Sequence, residues 1–298
     1  MMDEPRAAIS RRAFIAACRL DVAARKPGNV SFESSGHRMQ AQQFLASAKA
    51  CAQPLCRPGA SVGERIEDAV RESWQAARCN TNLGIVLLCA PLAAAWEQRA
   101  EPGAAGLQRA LAQTLRRLDL DDARAAYRAI VMARPGGLGS AAQQDVCAPP
   151  TVDLRAAMAL AADRDRIAYQ YAHDHAHVFE LGLPTFQETL RRAREGGADA
   201  EAAARLAMQR AYLEFVAAFP DSHIVRKHGI ALAHSVMAEA QAWRARARRG
   251  ELVEVDPDYA DWDTSLKARG LNPGTSADLS VASAYAAFLC DAHALDAL

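Results

Sequence analysis

The stretch LGIVLLCAPLAAAW, residues 83–96, decides how the rest of the chain is read. It is the most apolar run in the protein and contains no charged residue. A bilayer span needs about 20 such residues, and here Pro91 interrupts a shorter run. The stretch therefore reads as a helix buried among other helices. Just before it, CNTNLG (79–84) offers Asn80, Thr81 and Asn82 as candidate caps. Capping accounts for one of these three polar residues and leaves two to explain.

Outward from this helix the periodicity remains helical. The pattern predicts helices over 8–24, 38–52, 62–79, 82–98, 104–118, 121–133, 153–161, 163–180, 185–195, 199–218, 222–248 and 276–296, filled with Ala, Leu, Arg, Glu and Gln. Only ELVEVD (251–256) looks strand-like, and it falls in a polar loop. The expectation is an all-α fold, one compact multi-helix domain over residues 1–298, with its motif loops converging at helix N-termini.

Composition bounds the function. Hydrophobic residues at 51% and charged residues at 23% fit a globular chain. The 35 basic and 35 acidic residues cancel, which argues against nucleic acid or a membrane as partner and for small-molecule substrates met by a local cluster. Seven cysteines without a CxxC pair argue against a disulfide framework or a zinc ribbon. With no signal-like apolar core in MMDEPRAAISRR, a cytoplasmic location is expected.

The segments between helices are RKPGNVSFESSGHRM (25–39), CNTNLG (79–84), ARPGGLG (133–139), FPDSHIVRKHG (219–229) and LNPGTSADLS (271–280). All but ARPGGLG set Gly or Pro beside Asn, Asp, Ser or His at a helix entrance. Turn and cap chemistry explains part of this, and converging helix N-termini also suit a phosphate. Lys26, one of four lysines, is a candidate phosphate ligand. Glu67 is either part of a solvated acidic face with Glu64 and Asp68 or a magnesium ligand. ARPGGLG matches no phosphate-loop pattern and reads as a flexible turn. Within YAHDHAHVFE (171–180), His173 and His177 would share a helix face while His175 points elsewhere. Without an HExxH they read as amphipathic-helix histidines. Asp163 and Asp165 stay open between caps and metal ligands. If 222–248 is one helix, His223, Lys227 and His234 form a basic stripe near its N-terminus. Cations there oppose the dipole by roughly 0.3–1 kcal/mol, a cost that binding a polyphosphate would explain.

In this order the motifs resemble the triphosphoribosyl-dephospho-CoA synthase family. The matches are KPGNV (26–30), GHRM (36–39), Glu67, NTNLG (80–84), GGLG (136–139), DSHIVRKHG (221–229) and LNPGTSADL (271–279), covering most of the chain. The resemblance implies an all-helical enzyme that moves the 5-triphosphoribosyl unit of ATP to a hydroxyl of 3′-dephospho-CoA and releases adenine. It also implies Mg²⁺ as cofactor. Carried onto this sequence, it gives Asp221, Asp278 and His37 as catalytic candidates, with Asp278 as base or second metal ligand. Glu67 and Asp221 would hold Mg²⁺. Lys26, Asn29, Asn80, Asn82, His223, Arg226, Lys227 and Ser276 would hold substrate and phosphate.

The chain departs from the family pattern at Leu83, Lys227 and His228, where the family carries a basic residue, an arginine and a glycine. DRDRIAYQY together with KHG is similar to a branch associated with tetrahydromethanopterin in methylotrophs. That cofactor contains a ribose 5-phosphate joined to a ribitol hydroxyl by the same type of linkage. The departures thus imply a pterin-cofactor precursor as acceptor, with dephospho-CoA as the rival. A non-catalytic nucleotide-binding homologue is the reading of another class.

Overall fold

A computed structural model describes residues 6–37 and 39–296. The fold is all-α, and among the described residues no strand forms; Gly36 and Met39 make one isolated bridge. Arg38 of the GHRM motif, and the extreme N-terminus read above for a signal peptide, lie outside the described residues.

The apolar run forms α4 (Leu83–Gln98), buried from Leu83 through Trp96. A helix that is apolar on every side needs neighbours all round. They are α1 (Arg6–Ala23), α2 (Ala41–Leu55), α3 (Val62–Ala77), α5 (Gly103–Arg116) and a second enclosed helix, α14 (Gly274–Cys290). α14 is buried almost throughout from Thr275 to Leu289. Around this pair run α6 (Leu120–Ala133), α7 (Leu154–Ala159), α8 (Arg166–Ala172), α9 (Leu183–Glu195) and α10 (Ala200–Ala218). α10 shares its faces between two cores. Ala207, Met208, Ala211 and Phe215 join the main one, while Tyr212, Leu213, Val216 and Ala217 pack in a smaller one. The smaller core is completed by α11 (Ser222–His228), α12 (Ile230–Arg248) and α13 (Pro257–Ala268); a short α15 (His293–Asp296) ends the description.

Four expectations are corrected. The helix drawn over 222–248 breaks at Gly229, whose φ of 87° turns the chain between α11 and α12. His234 therefore sits exposed on α12, and the stripe with His223 and Lys227 does not exist. The dipole sign changes too. Arg226, Lys227 and His228 occupy the last turn of α11, the end where cations are favourable.

The helix drawn over 163–180 also breaks. Asp174 and His175 both have positive φ, and His175 turns inward, fully buried, with Nε2 3.1 Å from the Leu88 carbonyl. A π-helical turn, Val178–Gly182, then leads into α9. The histidines are thus packing groups rather than a face of an amphipathic helix. His177 stacks between Tyr169 and Phe219, and burial pushes His175 and His177 each down to about 4.

The third correction is α13, which none of the predicted helices covers. Asp256 caps it, Pro257 starts it, and Tyr259, Trp262 and Leu266 bury its inner face. Finally, the terminal helix stops at Cys290 and resumes only for one turn after Asp291.

Candidate active site

A cavity of about 370 Å³ opens where the ends of α1, α4, α8, α11 and α14 meet. Its polar lining comprises Asp21, Asn29, Asn80, Asn82, Asp165, His223, Arg226, Asn272 and Asp278, among others. Its apolar lining includes Phe44, Leu83, Ile130, Leu154, Met158 and Ile167. The segment from Pro135 to Val146 covers one side.

The KPGN and LNPG motifs meet at this cavity, and the contact is made by Gly28. Its φ is +83°, and a Cβ there would come 2.8 Å from both the Leu271 carbonyl oxygen and Pro273 Cδ. Gly28 N donates to Asp263 Oδ1 at 2.8 Å, and Asn29 Nδ2 donates to Asn272 Oδ1 at 2.8 Å. Lys267 Nζ ties Asp263 to Ser34, at 3.0 Å from Asp263 Oδ2 and 2.5 Å from Ser34 Oγ. α13 is thus the brace of the first motif loop.

Asp278 has the environment of a reactive group. Half-buried in the first turns of α14, its carboxylate receives no hydrogen bond or ion pair among the described residues. Burial holds its pKa well above the usual carboxylate range; the charges of Asp21, Asp221 and Asp165 add to this, and Arg226 opposes it. Gly84, at the start of α4, makes room for it: a Cβ there would collide with Asp278 Oδ2.

The other expected residues divide into two groups. Asn80 and Asn82 line the cavity, Asn80 accepting from Leu83 N at 3.2 Å and Asn82 accepting from Ser73 Oγ at 2.6 Å. Arg226 pairs with Asp165 at 2.7 Å, its Nε left without a partner. His223 is pushed down to about 3 by burial and then by Lys227 and Arg226. Burial thus favours its neutral form in the free protein, against the cationic role expected of it. Its buried Nε2 has no hydrogen-bond partner. Lys227 is exposed at the rim, its Cε packed where a Gly136 side chain would be, and no ion pair reaches it among the described residues.

The second group stands behind the cavity wall. Asp221 caps α11, with Oδ1 accepting from His223 N at 2.9 Å and Ile224 N at 3.3 Å. Its Oδ2 accepts from Ser276 N at 2.7 Å and Ser276 Oγ at 2.8 Å. Asp221 and Ser276 thus join α11 to α14, with the lone pairs expected for a ligand already spent. His37 Nε2 lies 2.8 Å from the Gly28 carbonyl oxygen, outside the cavity, and burial lowers its pKa. Lys26 is fully buried. Glu67 does not line the cavity, and its carboxylate is gripped by Arg128 at 2.7 and 2.6 Å.

The residues expected to hold Mg²⁺ therefore do not fit that role, because Asp221 and Glu67 have their oxygens occupied. Among the described residues no cluster of three or more His, Cys, Asp or Glu side chains is arranged for a metal. One cavity carboxylate escaped the sequence reading. Asp21 lies inside an apolar helix with no motif around it. Asp165 was seen, but its partner Arg226 is 61 residues away.

A family model described as ATP:dephospho-CoA triphosphoribosyl transferase matches residues 7–296, nearly the whole chain. The chain belongs to that family. It is accordingly a transferase, and ATP is a substrate of the triphosphoribosyl transferases it belongs with. No curated protein sequence matches it. Among solved structures it is similar to one from Archaeoglobus fulgidus whose assignment as a triphosphoribosyl-dephospho-CoA synthase is itself provisional. The TM-score is 0.60 at 22% identity, covering 83% of this chain and 98% of that one. At that identity the likeness supports the fold alone. No helix is long and apolar enough to cross a membrane among the described residues.

Proposed function

We propose that this triphosphoribosyl transferase works in the cavity at Asp278 and delivers the (tri)phosphoribosyl unit of ATP to an acceptor hydroxyl, that of a tetrahydromethanopterin precursor. The observation that carries the acceptor is the lining of the cavity. It contains two cationic side chains, Arg164 and Arg226, and Arg226 is already paired with Asp165. ATP and dephospho-CoA together would bring five phosphates against these two guanidiniums. An acceptor with less phosphate and a flat apolar body suits a lining that includes Leu83, Ile130, Leu154, Met158 and Ile167 better. Magnesium enters this reading as part of the Mg–ATP substrate.

In the reaction the acceptor oxygen attacks C1′ of the ATP ribose and the C1′–N9 bond breaks. The electron pair leaves with adenine. Asp278, free of any protein donor, takes the hydroxyl proton, and adenine gains one, so the net proton moves from acceptor to leaving group. Asn80 supplies its amide group to ribose or base, with Asn82 held beside it by Ser73 and Cys51, and Arg226 in the cavity wall meets the triphosphate with Lys227 at the rim.

Dephospho-CoA is the second reading, favoured by the family match over residues 7–296. Incubation with Mg–ATP and each acceptor, followed by chromatography of adenine and product mass, separates the readings. We expect adenine release with the pterin precursor at the higher kcat/KM. Release with dephospho-CoA alone would replace our acceptor. Tight Mg–ATP binding with no adenine from either would mark a non-catalytic homologue.

A further inference from the structure

We propose that Asp21, fixed by the buried Lys26, is the second carboxylate of the transfer site, stabilising positive charge at the ribose C1′ as adenine leaves. This rests on the reading that transfer occurs in the Asp278 cavity.

Lys26 is 0% exposed, so its ammonium cannot meet a triphosphate arriving from solvent. Its Nζ lies 3.0 Å from Asp21 Oδ1, donates to Asn29 Oδ1 at 2.7 Å, and sits over the Tyr212 ring, 5.8 Å from its centroid. A buried cation without such a partner would be strongly destabilising. The KPGN motif is therefore folded around Asp21, a residue that belongs to no motif. Asp21 is itself 3% exposed, yet it lines the cavity. The contact of Oδ1 with Lys26 is an ion pair without hydrogen-bond alignment, and no donor reaches Oδ2 among the described residues.

The charged and titratable groups facing Asp278 come from four elements besides its own. They are Asp21 on α1, the Cys89 thiol on α4, Asp165 capping α8, and Asp221 with Arg226 on α11. Asp165 is committed to Arg226, and Asp221 to Ser276 and two backbone amides. Asp21 alone among these carboxylates combines an ionic anchor on one oxygen with a free oxygen on the other. Facing it from its own surroundings are Lys26, the Cys18 thiol and the Tyr212 hydroxyl.

Two chemical consequences follow. As the C1′–N9 bond breaks, positive charge gathers on C1′ and the ring oxygen, and a fixed anion in a dry site stabilises it with no bond made and no proton moved. The same anion makes Asp278 a stronger base, since like charges in one cavity resist joint ionisation. Lys26 acts only through Asp21 and is a positioning residue.

The test is Asp21→Asn, with Asp21→Asn/Lys26→Met as the variant that leaves no unpaired buried ion should the single substitution fail to fold. The readouts are steady-state kinetics with Mg–ATP and a ¹³C-aspartate carboxyl titration by NMR without substrate, Asp278 being assigned through Asp278→Asn. Either variant should lower kcat roughly 10²–10³-fold with the KM for Mg–ATP held within about twofold. The Asp278 titration should move down by about one pH unit. An unchanged Asp278 midpoint together with unchanged kcat would overturn the proposal. So would a Lys26→Met variant that raises the KM for Mg–ATP tenfold without moving that midpoint. If the wild-type protein transfers nothing, the functional reading fails, and the NMR midpoint still decides the Asp21–Asp278 coupling.

Discussion

Asp278→Asn is expected to lower turnover by roughly 10²–10⁴-fold, the range for losing a positioned general base. The same substitution should raise the melting temperature. In the folded chain burial lifts the Asp278 pKa well above its ordinary value. The protonated side chain is tolerated, whereas stability is lost as pH rises from the unfolded pKa through the folded one. Asparagine carries no charge to desolvate, so the variant should be the more stable form at neutral pH. It should converge with wild type below about pH 4, where both states of the aspartate are protonated. A purely structural aspartate would behave in the opposite way, losing stability on neutralisation. The kinetic counterpart is an acid limb of kcat/KM well above the usual carboxylate range, with activity rising as pH rises through it. Thermal melts across pH and a pH–rate profile check both halves.

Gly28→Ala should be strongly damaging, because positive φ and backbone contact act against it together. Left-handed backbone costs a residue with a side chain about 1–2 kcal/mol. Forcing a methyl against Leu271 O and Pro273 Cδ, each 2.8 Å away, adds about 1–3 kcal/mol. Together this is about 2–5 kcal/mol, or roughly 3–8 °C in melting temperature at about 2.1 cal/mol/K of unfolding entropy per residue. Activity should fall further than stability explains, because the Asn29–Asn272 bridge crosses the same junction. Gly59→Ala is the control. Gly59 also has positive φ, at +71°, but nothing lies within 4 Å of its would-be Cβ, so only the backbone part of the cost should appear.

How far the sequence could be read follows from what each feature depends on. α4 was legible because an uncharged run must be enclosed, whatever encloses it. The motif loops were legible as a set, and the structure does bring Asn29, Asn80, Asn82, His223, Arg226 and Asp278 to one cavity. Gly229 was visible in the sequence, but the apolar period on both sides hid the break it makes between α11 and α12. With that break the basic residues moved from the unfavourable end of a long helix to the favourable end of a short one. α13 went unseen because its exposed face is polar, although Asp256-Pro257 was a start signal.

Roles were harder to read than places. Asp221 and Asp278 look equally available in DSH and SAD, yet four donors occupy one and none reaches the other. Lys26 looked like a phosphate ligand because its buried partner, Asp21, lies five residues upstream in a helix with no signature. Burial and pairing of this kind depend on tertiary contacts that no local pattern encodes.

The central claim is that nucleotide chemistry takes place beside Asp278. The most direct measurement is a crystal structure of Asp278→Asn, in which slowed turnover preserves the donor, with Mg–ATP bound. The account predicts ribose C1′ next to residue 278 and Asp21, with the triphosphate running toward Arg226 and Lys227. A nucleotide bound outside this cavity, or one whose triphosphate is held at Glu67 and Arg128, would contradict it.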